Sequence, residues 1–215
     1  MLRDRLIEER FFDAVYPVSG DRVLIEGPHA GGPAREYYTG FIVWELLERF
    51  GWGGIISRTS RELVDFNRDR NWQGGTYQRE GIEKRDRALK ELIERLGWSG
   101  HEPLLYLSLH GLSNGNSERI GADFVVGTRN GELCPASFRD RFLQKLSGAL
   151  EMAGAPSRGR KEVPQYAGHP SLMRLKERFG PNLFIIQLEL SLNLRKNFTL
   201  EVISALFLTI RGVLR

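Results

Sequence analysis

Three runs of the chain are apolar at nearly every position and turn polar only near their ends. They are Arg22-Val23-Leu24-Ile25-Glu26-Gly27-Pro28-His29, Leu104-Leu105-Tyr106-Leu107-Ser108-Leu109-His110, and Leu183-Phe184-Ile185-Ile186-Gln187-Leu188-Glu189. Continuous apolar runs of this length predict strands buried on both faces. Shorter runs at 54–57 and 124–126 predict two more strands.

Between the strands the apolar spacing becomes helical. Phe41, Val43, Trp44, Leu46, Leu47 and Phe50 predict a helix over 40–50 with Thr39 as its cap, and Ala88, Leu89, Leu92, Ile93 and Leu96 predict one over 81–96, stopped by Gly97. Further helices are expected from a Ser137 cap to about Met152, over 171–179 ahead of Gly180-Pro181, and over 200–214. The Gly-rich polar stretch 58–78, the Asn-rich stretch 113–117 and the segment 153–164 predict loops. The alternation predicts an α/β fold, a three-layer mixed sheet with helices on both faces, spanning 1–215 as a single domain.

Composition narrows the partners. A hydrophobic fraction of 41% and a charged fraction of 27% are ordinary for a folded domain. The net charge of +4 comes without a Lys/Arg block, so nucleic acid is not an expected partner. No apolar stretch approaches the ~18 residues of a membrane span, and the charged first ten residues do not form a signal peptide, so a cytoplasmic location is expected. The single cysteine, Cys134, allows no internal disulfide and suggests no chemistry.

The polar ends of the strands carry the chemistry. Open α/β sheets bind ligands outside the carboxyl ends of their strands. Two imidazoles and a carboxylate delivered there suit a hydrolytic metal centre: ligands for the ion and an acid/base for water. Glu189, in an otherwise apolar strand, either faces solvent at a sheet edge or lines a site, since a lone buried carboxylate is costly. A second cluster, from Arg58 to Trp72, sets Arg58, Arg61, Arg68 and Arg70 beside Asn67 and Asn71. Arginine forks at that density suit recognition of a carboxylate.

Five pieces in order, Pro28-His29-Ala30-Gly31, Arg61-Glu62-Leu63-Val64-Asp65-Phe66-Asn67-Arg68, Ser108-Leu109-His110, Gly121-Ala122-Asp123-Phe124-Val125-Val126-Gly127-Thr128 and Gln187-Leu188-Glu189-Leu190, resemble the N-formylglutamate amidohydrolase family. That family is related to zinc carboxypeptidases and aspartoacylase-type deacylases, and the likeness spans roughly 22–195. The stretch from Val64 to Arg68 with Asn71-Trp72 also resembles the substrate-binding segment of zinc carboxypeptidases.

The resemblance implies a zinc-carboxypeptidase-like hydrolase fold and a metal-dependent amidohydrolase holding one zinc ion. His29 and His110 would be ligands. Glu36, seven residues after His29, is the candidate third ligand, with Glu26 and Asp123 as alternatives. Glu189 would be the general base, Arg61 would polarise the scissile carbonyl, and Asn67 and Arg68 would hold the carboxylate of a small-molecule substrate. The expected reaction is cleavage of an amide bond in an N-acyl amino acid such as N-formylglutamate. A carboxypeptidase, a cell-wall peptide amidase, or a metal-free binding module on the same scaffold are the alternatives. Two positions depart from the family pattern: Ser108 stands where relatives often have Asp, and Gly32 rules out a short His-x-x-Glu arrangement.

Overall fold

A computed structural model describes residues 2–32 and 35–215, apart from the side chains of Leu2 and Arg3. Its centre is an eight-stranded mixed sheet. In chain order the strands are β1 (Leu6–Glu8), β2 (Phe12–Val15), β3 (Val23–Gly27), β4 (Gly53–Ser57), β5 (Leu104–Leu112), β6 (Phe124–Gly127), β7 (Gly159–Lys161) and β8 (Leu183–Ser191). They lie in the order β1-β2-β4-β3-β5-β8-β6-β7. The central strands β4, β3, β5 and β8 are parallel, whereas β2 joins β4 and β6 joins β8 antiparallel.

Strand alternation sorts side chains onto two faces. On one face Leu105, Leu107 and Leu109 of β5 and Ile186, Leu188 and Leu190 of β8 are all apolar. They pack under α1 (Thr39–Phe50), α4 (Ala136–Met152) and α7 (Thr199–Leu214) through residues such as Leu46, Phe142 and Leu206. The other face starts apolar, with Leu104 and Tyr106 on β5 and Leu183 and Ile185 on β8, under α2 (Gln78–Arg95) and α5 (Ser171–Phe179). Toward the carboxyl ends it turns polar: Ser108 and His110 on β5, Gln187 and Glu189 on β8, all buried. The three-layer α/β architecture is therefore as the sequence predicts, and Glu189 belongs to a buried interior strand, not to a solvated edge.

Several local expectations change. Helix α1 starts at Thr39, but Thr39 does not cap it: the N-cap is Tyr38 in the left-handed region at φ 68°, and the Thr39 hydroxyl is buried without a partner. Likewise α4 starts at Ala136 behind Pro135, so Ser137 lies inside the helix. The expected 113–117 loop is mostly helix α3 (Asn114–Ile120), whose first turn is capped by the Ser113 hydroxyl accepting from the Asn116 N–H at 3.3 Å. A short helix, α6 (Leu192–Asn197), follows β8 directly. The segment 153–164 contributes edge strand β7, and the N-terminal residues form β1 and β2. Such three- and four-residue strands with charged neighbours have little pattern of their own and exist by pairing with the sheet. Residues 58–77 carry neither helix nor strand, as expected.

Among the described residues no helix is long and apolar enough to cross a membrane. Cys134 is buried, and that burial, against the opposing charges of Lys176 and Arg139, pushes its thiol up to about 12. An aromatic disulfide reagent at pH 8 is therefore expected to leave Cys134 unmodified in the native protein and to titrate one thiol in denaturant; labelling of the native protein at the same rate would contradict this burial.

Candidate metal centre

The two candidate histidine ligands and Glu36, the first candidate for the third ligand, meet. One donor atom from each of His29, Glu36 and His110 lies within 4.8 Å of the others. His29 follows β3, His110 lies near the end of β5, and the two rings stand edge to face with centroids 5.0 Å apart. Glu36 arrives on the loop between β3 and α1. That loop is closed by the Glu36 N–H donating to the His29 carbonyl at 2.9 Å, and by close packing of Gly32, at φ 76°, on Ser60. A side chain at Gly32 would come within 2.5 Å of the Ser60 Cα, so the approach needs glycine.

The carboxylate of Glu36 is the hub. Oε1 lies 2.9 Å from His29 Nδ1 and accepts from Arg61 Nη2 at 2.6 Å. Oε2 accepts the Gly111 N–H at 2.7 Å and lies 3.6 Å from His110 Nδ1. Burial opposes its charge, but His110 and His29 outweigh burial and hold Glu36 well below the usual carboxylate range.

The far sides of both rings are anchored. His29 Nε2 lies 2.9 Å from Asp65 Oδ1, and His110 Nε2 lies 3.1 Å from the Ser108 hydroxyl. A neutral imidazole has a single N–H. With that proton on Nε2, bonded to Asp65, the Nδ1 lone pair of His29 points at a carboxylate oxygen 2.9 Å away. Two electron-pair donors facing each other call for a cation between them, either a proton or a metal ion. The donor set, two imidazoles and a carboxylate with an outer carboxylate on one ring, suits zinc with an open coordination position.

Glu189 stands opposite His110 in the β5–β8 ladder. Its Oε1 accepts from Gln187 Nε2 at 2.8 Å. Burial raises Glu189 above the usual carboxylate range, against the positive pull of His110. Burial also opposes charge on His110, but Glu189 and Glu36 prevail and push the ring up to about 9. Glu36, Asp65 and Glu189 thus set three acids around the two imidazole rings.

Arg61 reaches this cluster, but by an ion pair with Glu36. Asn67 and Arg68 lie just outside: the Asn67 N–H donates to Asp65 Oδ1 at 2.9 Å, and exposed Arg68 sets Nη1 3.1 Å from His169 Nε2. Burial, then the charge of Arg68, lowers His169 to about 4. The alternatives for the third ligand are engaged elsewhere. Glu26 is buried in a network with Arg85, at 3.3 Å, and the Tyr106 hydroxyl. Asp123 pairs with Arg158 at 3.1 Å.

Asp65 and Gln187 have no assigned role in the sequence reading. Asp65 sits inside the Arg/Asn cluster, where an acid reads as a local counter-charge; only the fold brings it to His29. Gln187 could have been flagged by period two, because it shares a face with Glu189.

No protein-family model matches the chain, and no curated protein matches it. Solved structures do. The N-formylglutamate amidohydrolase of Ralstonia eutropha JMP134 superimposes with a TM-score of 0.64 at 17% identity, over 95% of this chain and 98% of that one. A bacteriophage poly-gamma-glutamate hydrolase gives 0.53 at 13% identity, over 99% and 92%. A metallo-carboxypeptidase from Burkholderia cenocepacia gives 0.51 at 12% identity, over 94% of this chain and 60% of that one. The chain thus has the fold shared by an N-formylglutamate amidohydrolase and a metallo-carboxypeptidase, the fold that its five ordered motifs imply.

Proposed function

We propose that this protein is a zinc-dependent hydrolase that cleaves the amide bond of a small N-acyl amino acid, with N-formylglutamate as the type substrate. The observation that carries the reading is the convergence of the His29, Glu36 and His110 donors at the carboxyl end of the sheet, with Glu189 one strand away. Zinc, when bound, supplies a Lewis acid and makes water acidic enough to lose a proton near neutral pH.

The chain's own residues do the rest. Asp65 and Ser108 hold the two rings in orientation. Glu189 takes a proton from the attacking water and returns it to the leaving amine. Arg61, fixed beside Glu36, places positive charge where the carbonyl oxygen becomes negative. Asn67 and Arg68, at the exposed rim, hold the substrate's free carboxylate.

The test is zinc analysis of the purified protein followed by a substrate panel. One zinc per chain and hydrolysis of N-formyl-L-glutamate are expected. Cleavage of C-terminal peptide bonds or γ-glutamyl oligomers, with formylglutamate untouched, would move the assignment to a peptidase. No zinc even after its addition, with no hydrolysis, would leave a binding module.

A further inference from the structure

The strongest unassigned feature near the site is Arg195 on α6. It is only 4% exposed, and among the described residues no carboxylate lies within ion-pair distance of its guanidinium. It spends its donors on main-chain carbonyls instead. Nε donates to the Leu190 carbonyl at 3.0 Å, Nη2 to the Leu112 carbonyl at 3.3 Å, and Nη1 to the Tyr37 carbonyl. These carbonyls belong to the residue after Glu189, the second residue after His110, and the residue after Glu36. One side chain therefore ties together the three backbone segments that present the base and two of the candidate ligands.

The guanidinium also packs against Gly111. A Cβ at Gly111 would fall 2.5 Å from Arg195 Cζ and 2.6 Å from Nη2, so an alanine there would force the guanidinium to shift. Gly111 is the residue whose N–H binds Glu36. Burial pulls the guanidinium below its ordinary value, and the charges opposing this are those of Glu36 and Glu189. A buried cation without an acid partner is costly to keep. Each of its three nitrogens donates instead to a main-chain carbonyl.

We infer that Arg195 is a positioning residue that clamps the segments carrying Glu36, His110 and Glu189 into one constellation. The inference rests on the zinc reading above. The expected effect is that of losing an outer-shell partner, a zinc affinity weaker by about 10–100-fold.

Zinc affinity is measured by competition with a chromophoric chelator for the wild type, Arg195→Met, Arg195→Lys, Gly111→Ala, His29→Ala and the Arg195→Met/Gly111→Ala pair. Thermal unfolding of the metal-free proteins is followed in parallel. Arg195→Met and Gly111→Ala should each show the loss, and the pair should be no worse than the more severe single variant, because both break one clamp. Arg195→Lys, which keeps the charge but not the three-way fork, should fall between Arg195→Met and the wild type. A lowered melting temperature with wild-type zinc affinity in both Arg195→Met and Gly111→Ala overturns the clamp. If Arg195→Met does not fold, Gly111→Ala and Arg195→Lys decide. His29→Ala separates the two readings: full affinity there overturns the zinc site itself, whereas full affinity only in the Arg195 and Gly111 variants overturns the clamp alone.

Discussion

Glu189→Gln is expected to lower kcat on N-formyl-L-glutamate by about 10²–10⁴-fold, the worth of a general acid–base group, while zinc content stays at the wild-type level. The substitution is nearly isosteric. Gln187 can still donate its amide N–H to the remaining carbonyl oxygen at residue 189, so the contact now measured at 2.8 Å has a successor. Neither His29 nor Glu36 is hydrogen-bonded to Glu189, so the ligand cluster keeps its own contacts. What disappears is the carboxylate proposed to accept a proton from water and return it to the amine. Steady-state kinetics with metal analysis on the same preparation separate the two effects. An unchanged kcat would mean that Glu189 is not the base; loss of zinc together with activity would mean that it serves the metal instead.

How much of this was visible in the sequence depends on the length scale of each signal. β3, β5 and β8 were legible because a strand buried on both faces must be apolar throughout. The same rule exposes Glu189: on a face where Leu183 and Ile185 precede it, a carboxylate is an exception that demands a reason. His29 and His110 were legible as strand-end residues, and Glu36 became a candidate through the family resemblance. Short elements were not legible. β1, β2 and β7 have three or four residues each; β1 pairs only with its chain neighbour β2, while β2 and β7 depend on the distant strands β4 and β6. The 113–117 segment misled because Ser, Asn and Gly read as loop, whereas here Ser113 caps a helix and Gly121, at φ 62°, ends it.

The supporting residues were the hardest to see, for a physical reason. Asp65 matters because it meets a ring 36 positions earlier. Arg195 matters because it meets a carbonyl 158 positions earlier. Neither contact leaves a local period or spacing. Arg61 shows the converse: its identity was legible, but its ion pair with Glu36 was not, and that pair places it against the ligand cluster.

His110→Ala and His29→Ala are expected to weaken zinc binding by more than the 10–100-fold typical of an outer-shell loss, and to abolish measurable hydrolysis. Each removes one of the three proposed protein ligands, and two ligands hold zinc poorly. The two variants should differ in their metal-free stability. His29 contacts Glu36 and Asp65 through both ring nitrogens, so its loss removes a partner from two carboxylates at once, leaving Glu36 with Arg61 and the Gly111 N–H and Asp65 with the Asn67 N–H. His110 contacts the neutral Ser108 hydroxyl at 3.1 Å and, at a longer 3.6 Å, Glu36, which keeps the Gly111 N–H, Arg61 and His29. Denaturant unfolding of the chelated proteins is therefore expected to rank His29→Ala below His110→Ala, while zinc titration finds both far weaker than the wild type. Equal stability would show that the Asp65–His29–Glu36 chain carries no special share of the fold. Tight zinc in either variant would show that the ion, if bound at all, sits somewhere other than between these rings.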